Sequence, residues 1–199
     1  NKGIRSFMVN DSCRFEFSSD ASVIYVSDTL AALQLWARVH RQAYSPKCIA
    51  ITGSNGKTIV KEWLFSLLSS HFSVIRSPKS YNSQIGVALS LLQINKKHEI
   101  AIVEAGISRP NEMEKLENMI MPHIGILTNI GSAHDEGFIS QLHKLKEKLK
   151  LFSRVQTLIY RDIDISADDK GLFSDNLIKI NWGEGSSNKQ CNIEYVKIN

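Results

Sequence analysis

The run Ile49-Ala50-Ile51-Thr52-Gly53-Ser54-Asn55-Gly56-Lys57-Thr58 constrains this chain more than any other stretch. An apolar strand empties into a glycine turn, and the turn ends in Lys-Thr at the mouth of a helix. Gly53 and Gly56 let the backbone turn with its N–H groups pointing inward, and the helix that follows adds its positive end. Ser54 and Asn55 complete the turn. Lys57 brings a mobile cation and Thr58 a hydroxyl suited to magnesium, so the stretch reads as a cradle for a nucleotide triphosphate. The general pattern G-x-x-x-x-G-K-[ST] would place glycine at position 51, where this chain has Ile51. The shorter G-x-x-G-K-T core survives in the right context. Ile49 and Ile51 precede it, and Ile59, Val60, Trp63, Leu64, Leu67 and Leu68 follow at helical spacing. An ordinary strand-turn-helix connection has no need of adjacent Lys and Thr at the helix start.

Beyond this loop the pattern is that of an α/β protein. Short β-branched runs alternate with amphipathic segments from residue 46 onward, which predicts a mostly parallel sheet with helices on both faces. Strands are predicted near 48–52, 73–76, 99–103, 123–128 and 156–160, and helices near 58–70, 84–93, 110–120 and 138–151. Ahead of the Ser45-Pro46 break, Arg5–Val9 and Val23–Val26 read as two short strands. Ser27/Asp28 caps a helix with Leu30, Leu33, Trp36 and Ala37 on one face. Two β-rich pieces, Leu177–Trp182 and Cys191–Ile198, close the chain around a polar glycine-serine loop.

With 199 residues, 43% of them hydrophobic, the chain can bury a sizeable core. Its net charge of +4 is spread too thinly to predict a nucleic-acid partner. Cys13, Cys48 and Cys191 are odd in number and far apart, which reads as reduced cysteines in the cytoplasm. No apolar run approaches the length of a membrane span, the chain begins Asn1-Lys2-Gly3 without a signal-peptide pattern, and the absent initiator Met predicts a piece of a longer chain.

Two polar groups fall where a doubly wound sheet places its ligands, just past the carboxyl ends of strands. Glu104 follows Ile100-Ala101-Ile102-Val103, and His134 follows the run that begins at Ile124. Glu104 could instead cap the next helix, and His134 could be a solvated loop histidine. Beside a triphosphate loop on one sheet edge, a carboxylate and an imidazole suit metal ligation.

Four signatures, in order, resemble those of the Mur ligases of peptidoglycan synthesis. Thr52–Thr58 is similar to that family's ATP loop, which also lacks the early glycine. Asn82-Ser83-Gln84-Ile85-Gly86-Val87 resembles its second signature, Glu104-Ala105-Gly106 its acidic metal site, and Asn129-Ile130-Gly131-Ser132-Ala133-His134 its histidine motif. Within the family, Ala133–Phe138 and the lysine fourteen residues after His134 most resemble the member that adds D-alanyl-D-alanine to UDP-N-acetylmuramoyl-tripeptide. The wording of Ser77–Gly86 and Glu147–Phe152 resembles the Bacteroidetes-type form fused to an alanine racemase. Nothing of a racemase, and so no pyridoxal phosphate, is expected in these residues. Ala88, Asn111 and Lys150 depart from the family's usual proline, glycine and glutamate.

The resemblance implies ATP with magnesium at two sites, the UDP-linked tripeptide and D-alanyl-D-alanine as partners, and an acyl phosphate route. By the same implication Lys57 neutralises the β- and γ-phosphates, Asn82 contacts the phosphate side, and Thr58 and Glu104 hold magnesium. His134 holds or orients a second magnesium, and Lys148 is a candidate for carbamylation and metal approach. Geometry alone does not select Lys148. Leu142, Leu145, Leu149 and Phe152 are read as the buried stripe, which Lys146 and Lys148 both flank, while Lys144 and Lys150 are read as solvated. The resemblance also implies that residues 1–45 end a UDP-substrate domain and that 46–199 form most of the ATP-binding domain, with a third domain absent. A folylpolyglutamate or cyanophycin-type ligase, or a non-catalytic nucleotide-binding module, are the alternatives. Glu136-Gly137-Phe138 beside the histidine argues against the first, and the joint presence of Glu104, His134 and Lys148 against the second.

Overall fold

The computed structural model describes residues 3–131, 138–161, 164–165, 176–183 and 191–192, the last pair by backbone alone. Two strands, β1 (Ser6–Asn10) and β2 (Ser22–Val26), pair in parallel as a small sheet. Helix α1 (Thr29–Tyr44) follows, started by Asp28, whose carboxylate accepts from the Leu30 and Ala31 N–H groups. Then come β3 (Lys47–Thr52), α2 (Lys57–Leu68), β4 (Val74–Arg76), α3 (Gln84–Leu91), β5 (Ile100–Glu104), α4 (Glu112–Ile120) and β6 (Ile124–Leu127). Helix α5 (Gln141–Leu149), a 3-10 turn (Lys150–Phe152), β7 (Thr157–Arg161), β8 (Ile178–Gly183) and β9 (Cys191–Asn192) complete the described chain.

The strands from β3 onward form one seven-stranded sheet in the order β4-β5-β3-β6-β7-β8-β9. Every pairing in it is parallel. Strand order reverses at β3, which lies between β5 and β6, so their carboxyl ends open into one crevice. Alternation along the central strands divides the core. Cys48, Ala50, Ala101 and Val103 face a layer built from α1, α3, α4 and α5, whereas Ile49, Ile51 and Ile102 meet Val60, Leu64, Phe65 and Leu68 of α2. Only one stripe of α2 therefore packs, and Ile59, Trp63 and Leu67 are exposed.

Two helix faces differ from expectation. On α1, Trp36 is 57% exposed, because at about 100° per residue it stands a quarter turn from Ala37. Arg41 continues the buried stripe instead, donating from Nε to the Ile120 carbonyl at 2.9 Å and from Nη2 to the Met121 carbonyl at 3.0 Å. It thereby satisfies the orphan end of α4. On α5, Leu142 is 50% exposed and Lys146 is exposed, while Lys144, Leu145, Lys148, Leu149 and Phe152 are buried. The buried arc is centred on Lys148. The reading of Lys144 as solvated is corrected with it, and Lys150 is half-exposed beside Glu147.

Candidate phosphate and cation site

The first shared feature of the crevice is the loop after β3. Gly53 takes φ of 149° and Gly56 takes φ of 80°. A Cβ on Gly53 would stand 1.9 Å from Thr128 Oγ1, so nothing larger fits beside the β6 exit. The loop is laced to that exit. Thr128 Oγ1 donates to the Asn55 carbonyl at 2.6 Å, and the Asn55 N–H reaches Asn129 Oδ1 at 2.9 Å. Ser54 Oγ and Gly131 bond to each other in both directions, at 2.9 and 3.0 Å.

Lys57 opens α2 and folds back, its Nζ 2.9 Å from the Gly53 carbonyl and 3.2 Å from that of Ser54. Lys148 reaches the same Gly53 carbonyl at 3.2 Å, and Lys144 reaches the Gly131 carbonyl at 2.6 Å. Burial, then the neighbouring Lys57 and Lys144, lower the Lys148 pKa to about 7. Burial also lowers Lys57, with Glu104 opposing and Lys144 adding to the shift. Three ammoniums around a concave loop make a strongly anion-seeking site.

Opposite them stands Glu104, 1% exposed at the end of β5. Its Oε2 accepts from Thr58 Oγ1 at 2.9 Å and its Oε1 from Asn82 Nδ2 at 2.7 Å. Ser80 Oγ lies 3.4 Å from Thr58 Oγ1. A cavity of about 310 Å³ is lined by the loop, Ser80, Asn82 and Glu104. A second, of about 270 Å³, shares Lys57 and Asn82 with it and extends past Lys148 to Leu30, Ile85 and Ile107. The hydroxyls, the amide oxygen and the one carboxylate are hard oxygen donors. They fit a magnesium ion that keeps waters and phosphate oxygens as its remaining ligands. No group of three or more His, Cys, Asp or Glu able to hold a metal exists among the described residues.

The structure thus brings together Gly53, Ser54, Asn55, Gly56, Lys57, Thr58, Asn82, Glu104 and Lys148. His134 lies outside the described residues. Asn82 is found on the Glu104 carboxylate. Thr128, Asn129, Ser80, Lys61 and Lys144 also belong to the site's frame, and sequence reading passed over them in that role. Lys61 and Lys144 were discoverable, each standing four residues from a lysine already singled out and so on its face. Asn111 takes φ of 65°, a left-handed conformation that asparagine tolerates.

Fold and loop together define a class, the P-loop-type α/β domains whose phosphate site lies at the sheet's switch point. Within that class, residues 51–195 match the family model for the Mur ligase middle domain, and the chain belongs to that family. It is 38% identical over 135 residues to the UDP-N-acetylmuramoyl-tripeptide--D-alanyl-D-alanine ligase of Treponema pallidum, covering 67% of this chain and 29% of the relative. The Bacillus subtilis ligase of the same name is 33% identical over 142 residues, or 70% of this chain and 31% of the relative. The chain therefore spans about three tenths of the length of these curated relatives. Its fold matches MurF from Acinetobacter baumannii with a TM-score of 0.79 at 24% identity, over 90% of this chain and 45% of that one. MurF ligase from Thermotoga maritima, solved in complex with ADP, matches with a TM-score of 0.76 at 24% identity, over 92% of this chain and 48% of that one.

Proposed function

We propose that this chain supplies the ATP-binding body of a cytoplasmic, ATP-dependent amide ligase that adds D-alanyl-D-alanine to UDP-N-acetylmuramoyl-tripeptide in peptidoglycan synthesis. The observation that carries the reading is the Thr58–Glu104–Asn82 constellation set against the lysine-rimmed phosphate loop. Relatives that bear this activity by name match the chain over 135 and 142 residues.

In this reading the tripeptide carboxylate oxygen attacks the γ-phosphorus of ATP, the bond to the β-γ bridging oxygen breaks, and ADP leaves. The amine of D-alanyl-D-alanine then attacks the acyl phosphate carbonyl, forming the amide as inorganic phosphate departs and the amine gives up a proton. Positioning and charge stabilisation carry such transfers. Lys57 and the loop N–H groups neutralise the β- and γ-phosphates. Thr58 and Glu104 would hold magnesium, with Asn82 orienting Glu104, and the ion would supply charge that offsets what develops on the phosphate. His134 is assigned a second magnesium by resemblance. Lys148, neutral in good part near pH 7, is suited to take up CO2 as a carbamate, which turns a cation into a metal-seeking anion. Residues 1–45 are read as the end of the UDP-substrate domain, and 46–199 as most of the ATP domain. Helix α1, which falls in the first of these ranges, packs on α3 and α4 of the second. Fusion to an alanine racemase rests on the wording of residues 77–86 and 147–152. No described helix is long and apolar enough to cross a membrane.

The test is phosphate release by this sequence extended to the length of its relatives. Release should require ATP, magnesium, the UDP-linked tripeptide and D-alanyl-D-alanine together. Release with a folate and glutamate instead would reassign the chain to the folylpolyglutamate branch, and no release with any acceptor would reduce it to a binding module.

A further inference from the structure

Lys61 is a buried lysine that the proposed chemistry leaves without a task. It stands one turn after Lys57 on α2 and is 0% exposed, with Lys144 one of the two largest side chains in the fully buried set. A lysine is seldom buried so completely without partners that hold its charge. Its Nζ lies 3.2 Å from Glu62 Oε1 and 3.8 Å from Glu104 Oε2, and it donates to the Lys79 carbonyl. These partners sit on three different pieces of the fold: α2, the end of β5, and the Ser77–Asn82 connection. That connection is the one that carries Ser80 to Thr58 and Asn82 to Glu104. Its bend passes through Lys79 at φ of 48°, a conformation that a lysine does not adopt without support. Lys61 lines neither cavity, and it approaches Glu104 on the oxygen that accepts from Thr58.

We propose that Lys61 is a positioning residue: its ammonium pins the left-handed bend at Lys79 to α2 and to Glu104, and so sets where Ser80 and Asn82 meet the cation site. The proposal rests on the reading of Thr58 and Glu104 as cation ligands. Its first measurement does not.

In Lys61→Met, which keeps the volume and removes the donor and charge, amide exchange at Tyr81 and Asn82 should quicken at least ten-fold while amides of β3 and β5 keep their protection. On titrating Mn2+ with ATP, paramagnetic broadening of the Thr58 and Glu104 amides should require about ten-fold more metal than in the unaltered chain. Lys61→Arg, which retains charge and donors, should recover part of both. Unchanged exchange at Tyr81 and Asn82 in a folded Lys61→Met variant overturns the proposal. Should Lys61→Met not fold, the unaltered protein decides: the Lys61 Nζ signal must be protected from solvent and must shift when Mg2+ and ATP are added, and a signal indifferent to both overturns the proposal as surely. If the unaltered chain shows no metal-dependent broadening, the cation-site reading fails, and the exchange experiment still judges Lys61.

Discussion

Lys57 and Lys148 aim two ammoniums at one backbone oxygen, the Gly53 carbonyl, with Lys144 close behind. Such crowding is unfavourable until an anion arrives, and this gives two predictions at the level of single side chains. Lys57→Ala should lower nucleotide affinity or the chemical step by roughly two to three orders of magnitude in the full-length ligase, the scale of losing one preorganised charge-stabilising group. The variant should still fold. Unaltered ligation in that variant would remove the loop from the chemistry. Lys148→Met should stabilise the chain, since burial and like charge hold the folded Lys148 pKa near 7 against 10.5 for the free side chain. The sign follows from proton counting. Between pH 7 and 10.5 the unfolded chain carries this proton and the folded chain does not, so the unaltered protein gains stability as pH rises. In CO2-free buffer the variant should lead by on the order of 2–4 kcal/mol near pH 7, with the gap closing towards pH 10. A gap constant across that range would show that Lys148 titrates normally.

At the level of elements, the 3-10 turn packs tightly where it meets the sheet. A Cβ on Gly125 of β6 would lie 2.3 Å from Phe152 Cδ1, so the glycine is what lets the turn, and α5 before it, settle onto the strand. Gly125→Ala should cost about 1–3 kcal/mol through overpacking. Phe152→Leu in the same chain should return part of that loss, read as a coupling between the two thermal midpoints. The sheet and most helices were legible in the sequence because β-branched runs and capping residues are local signals: Asp28 starts α1 and Val74–Arg76 is a strand as expected. The inward face of α5 was not legible. Hydrophobic spacing pointed to Leu142, but the site draws Lys144 and Lys148 inward for their charge, and apolar periodicity is blind to that. The stripe of α1 misled for a related reason, since Arg41 is buried by the carbonyls at the end of α4 rather than by its own apolarity. Within the site, the phosphate loop and Glu104 were legible from motif and strand end. The lacing through Thr128 and Asn129 was not, because it depends on β3 and β6 being neighbours, which spacing along the chain does not encode.

At the scale of the whole molecule, the crevice offers a site for the nucleotide end of the proposed reaction only. The proposed chemistry needs a tripeptide presented by one further body and an amine delivered by another, brought together by closure. These 199 residues should therefore melt cooperatively, since the site arises from one contiguous parallel sheet. They should bind ATP weakly, and release no phosphate when offered ATP, magnesium, the UDP-linked tripeptide and D-alanyl-D-alanine. Substrate-dependent release by the 199-residue chain would show that it is catalytically sufficient.

The three lysines sealed into the molecule, Lys61, Lys144 and Lys148, give it an unusual relation to laboratory evolution. A library screened for heat resistance alone would find a quick gain by deleting the ammonium at Lys148, and its winners would be robust proteins that lack one group of the proposed site. Breeding a hardier version of this domain therefore requires a screen in which every survivor must also support the proposed ligation when joined to the rest of a full-length ligase.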